Sequence, residues 1–171
     1  LSFPASRVGE FRGLDGVEAA VGGLTLSSIH VDGMVPEQAD RLPPGENPSF
    51  RVAPENIDVA SLSVSGVDPR HRDLGAITPG QLTNGAWFGT GDARQAILNE
   101  SYASREGLGL GDAVKLGGKS FTVIGIAETP LGGQSSDVYV KLSQLQELSD
   151  RKDRVNTVYV RAESSDDVAA V

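Results

Sequence analysis

"DAVKLGGKSFTVIGIAE", residues 112–128, is the stretch on which the reading of this chain turns. Its GGKS resembles the end of a phosphate-binding loop, GxxxxGK[ST]. Such a loop needs a strand before it and a helix after it, so that loop amides and the helix N-terminus point at the phosphates. Here Ala113 stands where the first glycine belongs, and Ser120 is followed by the β-branched run FTVIGI. That run alternates: Phe121 and Val123 on one face, Thr122, Ile124 and Ile126 on the other. Gly117 and Gly118 fall between two alternating runs, where a two-residue hairpin turn requires positive φ. The spacing predicts a hairpin and no nucleotide site.

Working outward, "QAIL" reads as a buried strand. Asn99 then caps the short helix "ESYASRE", which Gly107 stops in the left-handed conformation. Downstream, "DVYVKL" and "NTVYVRA" are strands. They flank a helix over "SQLQELSD", opened by a Ser143/Gln146 capping box, with Leu145 and Leu148 on its apolar side. In the first half, "ASRVGEFR" is a short helix closed by Gly13, and residues 17–32 form a strand with a bulge or kink at Gly22-Gly23. "IDVASLSVSGVD" resumes strand alternation, and residues 69–92 are a turn-rich connection. Residues 33–56 hold five prolines and read as a loop or an inserted piece. Ser165 would cap a final helix over Asp166 and Asp167 that ends after little more than a turn, too short to hold itself. The chain therefore reads as a piece of a longer polypeptide. Strands interleaved with short helices predict an α+β fold with mixed sheets.

Composition narrows the function. Of the 171 residues, 39% are hydrophobic and 22% charged, and no apolar run approaches the roughly 20 residues of a membrane-spanning helix. A net charge of −8 argues against nucleic acid as a partner. Without cysteine there is neither a disulfide nor a thiolate metal site. The two histidines, His30 and His71, have no metal-ligand spacing, and His71 lies between two arginines. No GxSxG elbow is present, and "GGQSSD" at 132–137 reads as a loop tip. No residue is nominated as catalytic, cofactor-binding or metal-binding, and the expectation is a protein that is not an enzyme. Trp87 and Phe88 are adjacent aromatics in an aromatic-poor chain, expected to anchor a loop on the core.

Four stretches in order, "SLSVSGVDP", "LTNGAWFGTGDARQAILNESYA", "LGLGDAVKLGGKSFTVIGIAE" and "VYVKLSQLQEL…VNTVYVRA", resemble the extracytoplasmic core domain of MacB-like, FtsX-type ABC transporter permeases. "LDGVEAAVGG" is similar to the stretch that follows the first membrane helix of such permeases. Ala86 departs from an arginine frequent in the family, and residues 33–56 have no clear counterpart. The resemblance implies that residues 1–171 are one external domain between membrane helices, possibly in two subdomains, with 33–56 a proline-rich loop or a reduced inserted subdomain. It implies a cell-membrane parent that pairs with a second permease subunit and a cytoplasmic ATPase. Such a domain binds no cofactor and passes ATP-driven motion outward, to move a peptide, lipid or drug or to control an extracellular partner. A stand-alone extracellular ligand- or peptide-binding module is the alternative. Thr129, Gly132, Gly133, Gln134, Ser135, Ser136 and Asp137 form the expected partner-facing loop, since that stretch is polar and glycine-rich.

Overall fold

A computed structural model describes residues 2–32, 58–129 and 135–163. Its elements, in chain order, are β1 (Phe3–Pro4), α1 (Val8–Arg12), β2 (Val17–Asp32), β3 (Asp58–Val67), β4 (Leu82–Gly85), β5 (Gln95–Asn99), α2 (Glu100–Glu106), β6 (Ala113–Leu116), β7 (Lys119–Ala127), β8 (Val138–Lys141), α3 (Leu142–Leu148), β9 (Arg154–Val155) and β10 (Thr157–Ala162). Short 3-10 turns, Ala5–Arg7 and Pro79–Gln81, precede α1 and β4. The chain divides into two compact units, one of Leu1–Leu26 with Ser63–Val171 and one of Ser27–Leu62. Among the described residues, the buried core lies in the first unit. The proline-rich stretch 33–56 and the C-terminal turn at Ser165 lie outside the described residues.

The hairpin at the centre of the sequence forms. Gly117 and Gly118 take φ of +54° and +75°, and β6 pairs antiparallel with β7 from Leu116↔Lys119 to Ala113↔Thr122. Two consecutive positive φ angles give a turn whose twist matches the strands it joins. GGKS is thus a turn, with a strand after it. Along β7, Phe121 and Val123 are buried while Ser120 and Thr122 are exposed, as the alternation predicts. β7 organises the sheet. β5 runs parallel along one edge, and β6 and β4 pair with successive segments of the other. The strand order is β10-β2-β3-β8-β5-β7-β4, with β6 on β7. β8 lies between parallel β3 and antiparallel β5, and all four of its residues are buried. A strand covered on both faces reads as an apolar run, which is what Val138-Tyr139-Val140 supplies. The mixed sheet with few short helices is an α+β fold.

Around α2 the sequence rules hold. The Asn99 carboxamide oxygen accepts the Ser101 amide at 3.0 Å, and Gly107 ends the helix at φ +65°. At α3 the expected capping box does not form. Lys141 is the N-cap and Ser143 already lies inside the helix, while Leu145 is buried and Leu148 half-buried as expected. On the side that pairs with β10, Gly22 and Gly23 make no bulge. Their pairing with Val158 and Thr157 is regular, and the register shift falls between Arg161 and Ala162. These glycines give room instead. A Cβ on Gly23 would sit 2.6 Å from the Tyr159 ring, and one on Gly22 3.0 Å from both Val8 and Val155. β4 interrupts the turn-rich connection expected over 69–92. Trp87 is half-buried, donates its indole N–H to the Pro69 carbonyl at 3.2 Å and meets the buried Phe88 edge to face. This fits a loop anchor.

Candidate functional site

The expected partner-facing stretch begins at the end of β7 and returns at β8. Thr129 is exposed, and its hydroxyl accepts the Asn99 side-chain N–H at 3.0 Å. Gly132, Gly133 and Gln134 lie outside the described residues. Ser135 is exposed, but Ser136 is interior, at 4% exposure. The Ser136 amide donates to the Tyr139 hydroxyl at 3.0 Å, and its own hydroxyl lies 2.7 Å from that of Ser65 on β3. Asp137 is equally engaged: its carboxylate accepts the Ser63 amide at 2.8 Å and the Ser63 hydroxyl at 2.9 Å. Thr129, Ser136 and Asp137 are therefore roots of this loop, bonded into the sheet.

The bonding continues past Ser65. Its hydroxyl also lies 2.7 Å from Thr25 on β2, and the Asn156 carboxamide bonds the Thr25 backbone at both ends, at 2.8 and 2.7 Å. A row of hydroxyls, Thr25–Ser65–Ser136, so crosses β2 and β3 to the start of β8. Each hydroxyl has one proton and two lone pairs, so each can donate to one neighbour while accepting from another. Each bond contributes about 1 kcal/mol net, whereas stranding one buried partner costs about 1–3 kcal/mol. Burial pushes the Tyr139 phenol up, against the Ser136 amide bond that lowers it, so the ring stays neutral at physiological pH. Among the described residues, no imidazole or carboxylate bonds the hydroxyls of Ser65 or Ser136, and the row has the chemistry of a structural tie rather than of an activated nucleophile.

A second feature is an open groove of about 540 Å³, floored by Ala19 and Ala20 and rimmed by Arg12, Glu18, Arg70, His71 and Asp73. Its charges are largely paired. Arg70 holds Asp68 through two side-chain nitrogens, at 2.9 and 2.7 Å, and Arg161 bonds the Asp73 carboxylate at 3.0 Å. The His71 Nε2 stands 3.9 Å from Asp68, and the His30 side chain lies outside the described residues. Among the described residues, no group of three His, Cys, Asp or Glu side chains is placed to hold a metal ion. The hydrogen bonds from Arg70 hold the Asp68 carboxyl below the usual carboxylate range. A depressed folded-state pKa stabilises the fold above the unfolded-state value and loses that contribution as pH falls through the folded one. Asp68→Asn is expected to lower stability by about 0.5–1 kcal/mol at pH 7, a modest figure because solvent screens the exposed Arg70. Melting curves should show the gap closing below about pH 4, where the wild-type carboxylate protonates.

Sequence reasoning missed one buried cation. Lys141, 4% exposed, donates to the carbonyls of Gly91 at 2.7 Å and Ala93 at 3.3 Å, while Gln144 donates to those of Asp92 and Ala93. Together they clamp the segment that leads into β5. The only signal was a lysine ending an apolar strand.

Comparisons with known proteins are consistent with this fold. The extracellular domain of the noncanonic ABC-type transporter YknZ from Gram-positive bacteria superposes with a TM-score of 0.58 at 20% identity, over 99% of this chain and 78% of that one. The periplasmic region of MacB from Actinobacillus actinomycetemcomitans gives 0.59 at 18% identity, over 98% and 69%. A domain of a putative permease protein from Porphyromonas gingivalis gives 0.51 at 14%, over 92% and 66%. No curated protein sequence matches the chain. No helix among the described residues is long and apolar enough to cross a membrane. A model of the MacB-like periplasmic core domain matches residues 9–171, and by that match the chain belongs to this family, the periplasmic region of bacterial ABC transporter permeases.

Proposed function

We propose that the domain is a non-catalytic external lever of its permease, carrying ATP-driven motion from the membrane to a substrate or partner outside it. Its expected partners are a second permease copy and a cytoplasmic ATPase, and its working surface is the loop between β7 and β8. The observation that carries this reading is the row Thr25–Ser65–Ser136 with the Ser63–Asp137 bonds, which ties that loop's root to β2 and β3. A push at the base of such a body is delivered at its loops with little internal loss, because a packed interior resists deformation.

These 171 residues hold no cysteine, so cysteines introduced at two positions are the labelling sites within the domain. Spin labels are attached at the exposed Ser104 on α2 and Lys152 after α3, in the full-length permease reconstituted with its ATPase. On ATP binding, the Ser104–Lys152 distance within one copy should stay fixed while the Ser104–Ser104 distance between copies shifts. A change inside the domain would refute the rigid lever. No change between copies would remove the motion it is meant to transmit.

A further inference from the structure

Asn84–Gly85 is the one Asn-Gly pair of the chain, and it sits on β4, the last strand of the sheet on its side. The register pairs Asn84 with Ile126 and Gly85 with Gly125, and the Ala86 amide donates to the Ile124 carbonyl at 2.8 Å. Bonded and non-bonded pairs alternate in an antiparallel ladder. Ala86/Ile124 and Asn84/Ile126 are therefore the bonded pairs, and Gly85/Gly125 is not. The Gly85 N–H consequently points away from β7, toward the open edge. It donates instead to the side-chain oxygen of Asn84, at 2.8 Å. Both residues are exposed, and Gly85 takes φ +84°. The nucleophilic nitrogen and the carboxamide of the preceding side chain are thus held together in water, with no ladder bond to protect the amide.

The geometry points to Asn84–Gly85 as a site of spontaneous covalent modification in the folded domain. The Gly85 nitrogen gives its proton to solvent base and attacks the Asn84 Cγ. An N–Cγ bond forms, the Cγ–Nδ2 bond breaks, and the amino group takes a proton and leaves as ammonia. Water then opens the five-membered imide. Cleavage at Cγ leaves aspartate, and cleavage at the main-chain carbonyl leaves isoaspartate, with the chain routed through the former side chain. No redox partner is needed. Either product adds a negative charge to a chain already at −8, and isoaspartate lengthens β4 by one backbone atom, which breaks its register with Ile126.

The test is peptide mapping by mass spectrometry, with enzymatic methylation of isoaspartyl groups, on the purified domain incubated at pH 6 and pH 8. A synthetic peptide of residues 80–90 is incubated in parallel. Asn99 and Asn156 are internal controls, since both carboxamides are bonded into the fold. Modification at Asn84 should exceed that at either control by about tenfold or more and rise with pH. It should also stay within about tenfold of the peptide rate, the protection that ~1.4 kcal/mol of local structure would give. Asn84→Gln should remove the signal. A rate no higher than at Asn99, protection beyond tenfold, or a signal that survives Asn84→Gln would overturn the assignment.

Discussion

Replacing Tyr139 with alanine is expected to cost about 3–5 kcal/mol, as deletion of a large aromatic from a packed interior does. Tyr139→Phe is expected to cost about 1–3 kcal/mol, for a different reason. The ring is fully buried and packs in a cluster with Val67, Ile97 and Ala127 from β3, β5 and β7. Alanine empties that space. Phenylalanine fills it but strands the Ser136 amide, whose acceptor is the Tyr139 hydroxyl. Since domains of this size have about 5–15 kcal/mol in total, the alanine variant should be near unfolding and the phenylalanine variant clearly folded. Urea titration gives the two costs. Hydrogen exchange then separates the mechanisms, because Tyr139→Phe should speed exchange at Ser136 ahead of the β5 and β7 amides. A phenylalanine variant matching wild type in both measurements would show that the junction depends on the hydroxyl row alone.

Local rules made the second half of the chain readable. Asn99, Gly107 and the Gly117-Gly118 pair act within a few residues of themselves, and each took the conformation its chemistry requires. Tertiary constraints were not readable in the same way. Gly22-Gly23 looks like a kink until Val155 and Tyr159, more than 130 residues away, come to lie against it. Ser143 satisfies the capping pattern, yet α3 starts at Leu142, because β8 carries its extended conformation through Lys141 and that side chain is held by the carbonyls of Gly91 and Ala93. β4 carries a turn-forming dipeptide, and only the free edge of β7 beside Gly125–Ala127 makes it a strand. The candidate site divides along the same line. A polar, glycine-rich loop was visible in the composition of 129–137, whereas its anchoring depends on Ser63, Ser65 and Thr25, none of which carries a sequence signal.

Gly85→Ala is expected to destabilise the domain by about 2–5 kcal/mol and to detach β4 from the sheet, combining a positive φ with overpacking. Its Cβ would stand 2.2 Å from the Ile124 carbonyl oxygen, 2.7 Å from the Gly125 Cα and 2.8 Å from the Leu110 side chain. Two of those atoms are backbone of β7, which is fixed by β5 on its other edge, so β4 has to move. Moving it breaks the Ala86–Ile124 bond and shifts Trp87 from the Pro69 carbonyl. Trp87 is the single tryptophan, so tryptophan fluorescence in the folded variant reads this position. Gly111→Ala is the matched control: φ is +90° there, but a Cβ would meet nothing within 4 Å. That variant should lose only the backbone cost, about 1–2 kcal/mol, with the tryptophan signal unchanged. Equal losses in the two variants would mean that backbone conformation is the whole effect and that β4 has room to yield. A larger loss at Gly85, with an altered Trp87 signal, would establish that close approach to β7 is why this edge strand tolerates only glycine.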